Sequence, residues 1–143
     1  MSKGNTFEND FLKLILWGTA IADLADNDAT SPLTNLYLSL HTADPGEAGD
    51  QTTNEASYTS YARVAVARSA AGFAIAANVA TLVAQANFPA STGGSTSSLT
   101  HMGIGTAASG AGKLLWKGAL DASIVMSSGV QPVLGTATSI TEE

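Results

Sequence analysis

The spacing of apolar positions changes once along the chain, near Pro32. Before it, Phe7, Phe11, Leu14, Ile15, Gly18, Ile21, Ala22 and Ala25 recur at helical intervals, with Glu8, Asn9, Asp10, Lys13 and Asp23 largely off that stripe. Asn5 followed by Glu8 has the capping-box spacing, in which each side chain satisfies an orphan N–H of the first turn. The pattern predicts a helix that starts there and is ended by Asp26-Asn27-Asp28 and Ser31-Pro32. Leu12, Leu16, Trp17 and Leu24 widen the apolar face, so the helix needs cover on more than one side.

After Pro32 the period falls to two. Leu36, Leu38 and Leu40 alternate with Asn35, Tyr37, Ser39 and His41, the pattern of a strand with one buried face. Residues 42–58 read as a loop opened by the Asp44-Pro45-Gly46 turn. Tyr61 to Arg68 alternates again, with Val64 and Val66 opposite Arg63 and Ala65. Beyond Gly72, the apolar residues from Phe73 to Phe88 predict two short strands broken near Asn78 to Thr81 and closed by Pro89, although their alanines also suit a helix. Ser91 to Ser98 is a Ser/Thr/Gly loop. Thr100, Met102 and Ile104 then alternate, and a glycine-containing turn at 107–112 returns through Leu114-Leu115-Trp116 as a hairpin. Ser123 to Met126 and Val130 to Leu134 make two further runs, and Pro132 argues that the last is an edge strand. The expected fold is mainly β: an antiparallel β-sandwich or jelly roll preceded by an N-terminal α-helix. Residues 1–30 form the helical arm and residues 31–143 the sandwich, packed as a single domain.

Composition limits what this fold can hold. Of 64 apolar residues 25 are alanine, which leaves 39 larger side chains for the interior, a small core that leans on neighbours. Cysteine is absent, so disulfides, thiolate metal sites and cysteine nucleophiles are excluded. Met1 to Asn5 leads directly into acidic residues, unlike a signal peptide, and the apolar run Leu14 to Ala22 is far short of the roughly 18–20 residues of a membrane span. A soluble protein made in a cytoplasm is expected. Residues 1–55 carry a net charge of −7, residues 56–120 contain only Arg63, Arg68, Lys113 and Lys117, and residues 121–143 return to −3. Four separated cations make no stripe that could track a phosphate backbone. An acidic arm and a faintly basic body could instead pair head to tail with copies of the chain or with another protein, although dispersed, solvated charge is the commoner meaning of such a pattern.

Candidate chemistry is sparse. His41 and His101 are the two histidines, and no G-x-S-x-G elbow supplies a nucleophile for either. His41 with Asp44, Glu47 and Asp50 lacks the ligand spacing of a calcium loop or a zinc site. Gly103, Gly105, Gly110 and Gly112 lie between two strands rather than before a helix, so hairpin geometry accounts for them better than a phosphate loop. Trp17 and Trp116 are either core residues or contact anchors. No catalytic residue, cofactor or metal is expected.

Taken as an ordered set, Asn35 to Gly46 (NLYLSLHTADPG), Tyr61 to Val66, Phe88-Pro89, Thr100 to Ile104 and Leu114 to Leu120 resemble a family of small phage virion proteins, often labelled tail fibre or minor structural proteins. In size and strand content the chain is also similar to the jelly-roll cement, or decoration, proteins of tailed-phage capsids. The resemblance spans roughly residues 5–140. It implies a virion structural protein, synthesised in the bacterial host cytoplasm. The first expectation is a capsid cement protein that binds the phage major capsid protein on the outer surface of the head, as a homo-oligomer, dimer or trimer, with no direct nucleic acid or membrane partner. The alternative is a tail fibre or minor tail component involved in host attachment, which would meet a glycan through residues such as Tyr37, Tyr58 and Tyr61. Contacts are expected from the N-terminal helix or the 42–58 loop, and the candidate interface residues are Phe7, Phe11, Trp17, Tyr37, Tyr58 and Trp116.

Overall fold

The computed structural model describes residues 1–17, 20–22, 24–25, 33–76, 79–93 and 97–141, and for residues 2 and 12–17 only the backbone. It is mainly β and antiparallel, with one helix at the N-terminal end. A short strand β1 (Ser2–Lys3) leads into α1 (Asn5–Trp17). The strands that follow are β2 (Asn35–His41), β3 (Val64–Ala67), β4 (Phe73–Ala76), β5 (Val79–Leu82) and β6 (Ala86–Asn87). The chain ends through β7 (Ser98–Gly105), β8 (Leu114–Val125), β9 (Val133–Leu134) and β10 (Ser139–Thr141).

Five strands in the order β1-β8-β7-β2-β3 form the main sheet. Facing it across the core are the three-stranded sheet β10-β5-β4 and the two-stranded ribbon β6-β9. Leu36, Leu38, Leu40, Met102 and Ile104 come from the main sheet, and Leu82, Ala86, Leu134 and Ile140 from the smaller ones. The inner face follows from the registers: Leu38 stands opposite Ile104, and Ile104 opposite Trp116. Leu38, Leu40, Phe88, Leu99 and Met126 are fully buried, so a small core is nonetheless closed. At about 25 cal/mol per Å² of apolar surface, side chains of this size each contribute roughly 1.5–3 kcal/mol, before the cost of ordering the chain.

The helix is shorter than its apolar stripe. Among the described residues it spans Asn5–Trp17, and Ile21 and Ala25 pair with each other, Ile21 N–H donating to the Ala25 carbonyl at 3.0 Å and Ala25 N–H to the Ile21 carbonyl at 2.8 Å. Ile21 is 4 % exposed there, so the stripe marked burial correctly and helicity only in part. The stop expected at residues 26–32 lies outside the described residues. At the start, Glu8 N–H donates to the Gly4 carbonyl, while the Asn5 N–H donates to the Glu47 carbonyl at 2.9 Å. The 42–58 loop thus takes the donor that the Asn5–Glu8 box was expected to satisfy.

The strands also differ from the expected runs. The region Phe73 to Phe88 holds three pieces rather than two, because Val79–Leu82 is itself a strand paired with both β4 and β10. Ser123 to Met126 is not a separate run: β8 continues from Leu114 to Val125. It does so through a bulge, since β7 advances only from Leu99 to His101 while its partner goes from Ile124 to Ala119. The strands β1 and β10, two and three residues long, carry too little periodicity to be read from sequence.

Candidate functional site

The outer face of the main sheet is where the polar residues gather. On this face Tyr37 stands opposite Gly105, Ser39 opposite Gly103, His41 opposite His101, and Gly103 opposite Lys117. Glycine on β7 leaves this face without side chains at two positions: Leu114, Ser39 and His41 fill the space over Gly103, and Gln51 of the 42–58 loop fills the space over Gly105. Ser39 and His41 are 0 % exposed beneath it, although alternation alone puts them on a solvent face. A Cβ on Gly103 would stand 2.9 Å from Ser39 Oγ and 3.0 Å from His41 Nε2, so the bare backbone is what admits these two side chains.

Three side chains of the main sheet and the loop fasten the loop to this face. His41 Nδ1 donates to the Thr53 carbonyl at 2.9 Å; a carbonyl only accepts, so the proton is on Nδ1, and Nε2 accepts from the Ser39 hydroxyl at 2.9 Å. Gln51, fully buried, donates from Nε2 to the Tyr37 carbonyl, accepts at Oε1 from Ala107 N–H at 2.9 Å, and donates its own N–H to the Gly112 carbonyl. Lys117, 7 % exposed, meets Glu47 at 2.7 Å and Asp44 at 3.1 Å. Burial pulls the Lys117 ammonium down, and the carboxylates of Glu47 and Asp44 outweigh it, so its pKa lies above the ordinary value. Asp44 is held below the usual carboxylate range first by the Gly46 N–H and then by Lys117.

At the loop's far end an ion pair is built into the body. Arg63, its side chain 2 % exposed, grips Glu55 through Nε at 2.6 Å and Nη2 at 2.8 Å, and also donates to the carbonyls of Ala107 and Gly110. Tyr61 donates its hydroxyl to Glu55 and accepts from Leu40 N–H, and burial pushes that hydroxyl's pKa up, so it stays a donor. Neither Gln51 nor the Arg63–Glu55 pair carries a signal at sequence level, because both depend on a loop crossing strands far apart in the chain.

The expected site residues are dispersed. Phe7 packs edge-on against Trp116 with ring centroids 5.2 Å apart, and both are half-buried. Phe11 is 45 % exposed, with Lys3 Nζ 5.8 Å from its ring centre. Tyr37 is half-buried on the outer face, and the Trp17 side chain lies outside what is described. Tyr58 is 2 % exposed, with its hydroxyl on the Pro89 carbonyl, and it stands in the core rather than among surface aromatics. Tyr61 is half-buried and stacks on Phe88. The sequence reading missed Ile75, which is 77 % exposed on β4. It borders an apolar groove of about 530 Å³ between the two layers, lined by Leu36, Phe73, Ala80, Trp116 and Ile140, with Arg68 among its lining residues. A second, more polar groove of about 520 Å³ runs beside the β8 bulge from Met1 to Val133.

Both histidines are hydrogen-bonded within the fold. The His41 ring is sealed from solvent, and His101 Nδ1 is engaged by Thr100 Oγ1 at 2.9 Å. Among the described residues no three His, Asp or Glu side chains gather as a metal site, and no helix is long and apolar enough to cross a membrane. None of the curated proteins matches this chain. One family model does, over residues 4–139, and its description is Podophage GP4 fiber I protein gp80. That span takes in the helix, both layers of the sandwich and the clamped loop, and the chain therefore belongs to the podophage GP4 fiber I protein gp80 family of phage fibre proteins.

Proposed function

We propose that this chain is a structural component of a phage tail fibre that takes part in host attachment by binding and carries out no chemistry of its own. The observation that carries the reading is the family match across residues 4–139. It favours the fibre alternative over the capsid decoration role and the major capsid protein partner that the sequence put first. The geometry supports a binding module: the polar side chains of the outer face are spent on fastening the 42–58 loop, which makes that surface stiff before any partner arrives.

A fibre also needs a way to join copies. Val83 N–H donates to the Gly72 carbonyl at 3.1 Å beside the Phe73–Leu82 pair, which turns the backbone N–H and C=O of Ile75 away from β5 and toward the open edge. The segment 69–85 holds no charged residue in a chain of net charge −6, so a second copy meets least repulsion there. We assign self-association to this hairpin edge. Antibody fragments raised against the folded chain test the attachment role. They are expected to bind intact virions and slow adsorption to host cells; binding to virions with adsorption unchanged would overturn it.

A further inference from the structure

The outer edge of β8 is covered for only part of its length. Ser2 and Lys3 of β1 pair with Lys117 and Trp116, Met1 lies against Gly118, and among the described residues no strand pairs with β8 on that side from Ala119 to Val125. Leu120 to Ser123 lack a partner on β7 as well. The direction of the backbone groups along this edge follows from its two ends. Gly4 N–H donates to the Leu115 carbonyl on the β1 side, and Met126 N–H donates to the Ser97 carbonyl on the β7 side. Counted from either end, alternation turns the N–H and C=O of Ala119, Asp121, Ser123 and Val125 outward. The side chains keep the same period: these four residues are exposed, while Leu120 and Ile124 are half-buried against the core. Beside the edge runs the groove of about 520 Å³, lined by Leu120 and Asp121 of β8 and by Leu134, Gly135 and Thr138 of the other layer, which leaves room for a further strand.

We infer that a second copy of this chain adds its own β8 to this edge, antiparallel about a two-fold axis at Ala122, so that the two five-stranded sheets become continuous. The free stretch chooses the register. A ladder forms only where outward-facing residues stand opposite outward-facing residues, and all four are used only when 119–125 is centred on itself. Ala119 then faces the partner's Val125, and Asp121 faces the partner's Ser123, whose hydroxyl can donate to the carboxylate. On the inner side Leu120 meets the partner's Ile124, an apolar pair across the new seam. A register centred on Asp121 would instead set two carboxylates directly opposite each other, which is destabilising. Asp121 is the one charged residue from Gly118 to Pro132 in a chain of net charge −6, so a second copy meets little repulsion here. The contact is separate from the hairpin edge at Ile75, and one copy can therefore hold two neighbours.

The chain has no cysteine, so a single introduced thiol reads the contact. In this register Ala122 faces the partner's Ala122 as a non-hydrogen-bonded pair with Cα atoms about 4.5 Å apart, within the span of a disulfide. The two Ala119 Cα atoms are about 20 Å apart, too far to be bridged. Under mild oxidation of the intact chain, Ala122→Cys is expected to give about tenfold more covalent dimer than Ala119→Cys, and to keep doing so when Ile75→Lys is added. Equal yields from the two variants, no dimer from either, or loss of the dimer with Ile75→Lys overturns the inference. Charge reads the register without a cross-link. In the Ile75→Lys background, Ser123→Asp is expected to raise the dimer dissociation constant about tenfold by facing the partner's Asp121, and Ser123→Lys to leave it unchanged or lower it. A lysine that weakens the dimer as much as the aspartate does overturns the inference too.

Discussion

Gln51 occupies the volume that a side chain on Gly105 would need: a Cβ at that glycine would fall well inside van der Waals contact with the Gln51 amide. The same amide closes over Gly112. A loop residue and a hairpin thus define one socket, and the loop cannot sit on the sheet unless β7 lacks a side chain there. Gly105→Ala is therefore expected to lower stability by about 1–3 kcal/mol through overpacking. Urea denaturation reads this as a lower midpoint with an unchanged slope. A midpoint equal to that of the unaltered chain would mean that Gln51 does not fill the socket.

The Arg63–Glu55 pair predicts a larger effect. Removing the guanidinium leaves Glu55 and the carbonyls of Ala107 and Gly110 without their donors in a site where Arg63 is 2 % exposed. Arg63→Ala is expected to cost about 3–5 kcal/mol, the range for breaking a buried pair from one side. Arg63→Lys should rescue little, because an ammonium cannot reproduce the two-pronged grip on the carboxylate while reaching both carbonyls. Full rescue by lysine would show that charge alone matters at this position.

The pH dependence of stability separates two groups of residues. Burial, more than any neighbour, lowers the folded pKa of His41 below 6.5, so the unfolded chain binds the extra proton first. Its contribution is complete above about pH 6.5 and is lost as pH falls through the folded value. Asp44 and Asp50 are both held below 3.8, Asp44 first by the Gly46 N–H and Asp50 first by the Thr52 hydroxyl, so their contributions persist until far more acid conditions. The melting temperature should begin to fall near pH 6 in the unaltered chain and only near pH 4 in His41→Gln. Superposed profiles for the two proteins would remove His41 from the account.

Self-association is expected to depend on the uncharged hairpin edge. Ile75→Lys places a charge beside outward-facing backbone groups, the device by which natural edge strands avoid pairing. Sedimentation velocity should report a smaller species for this variant, with the circular dichroism spectrum unchanged. An unaltered sedimentation coefficient would move the contact elsewhere, with Phe11 next to be tested.

What was legible in the sequence was the regular part. The period-two alternation of Leu36, Leu38 and Leu40 marks β2 and its buried face, and the glycine turn at 107–112 marks the β7–β8 hairpin, because both are local and repeat over several residues. The same alternation misplaced Ser39 and His41 on a solvent face. Alternation distinguishes the two faces of a strand; it does not say whether a loop from elsewhere will cover the second. Gln51 was unreadable for that reason, since its partners at Tyr37, Ala107 and Gly112 are fixed by the tertiary path of the loop. Tyr58 reads as a surface aromatic because it lies in a polar stretch, yet its ring enters the core and its hydroxyl finds the Pro89 carbonyl. The apolar stripe runs past the helix because Ile21 is buried in a turn as effectively as on a helical face.

A chain built into the tail fibre of a phage, as proposed, must be found there on the intact particle. Cryo-electron microscopy of intact virions, averaged separately over head and tail, can be searched with the sandwich of β1-β8-β7-β2-β3 over β10-β5-β4. Matching density is expected in the fibres and none on the shell. Density on the outer shell at a local symmetry axis, with the fibres accounted for by other chains, would contradict it.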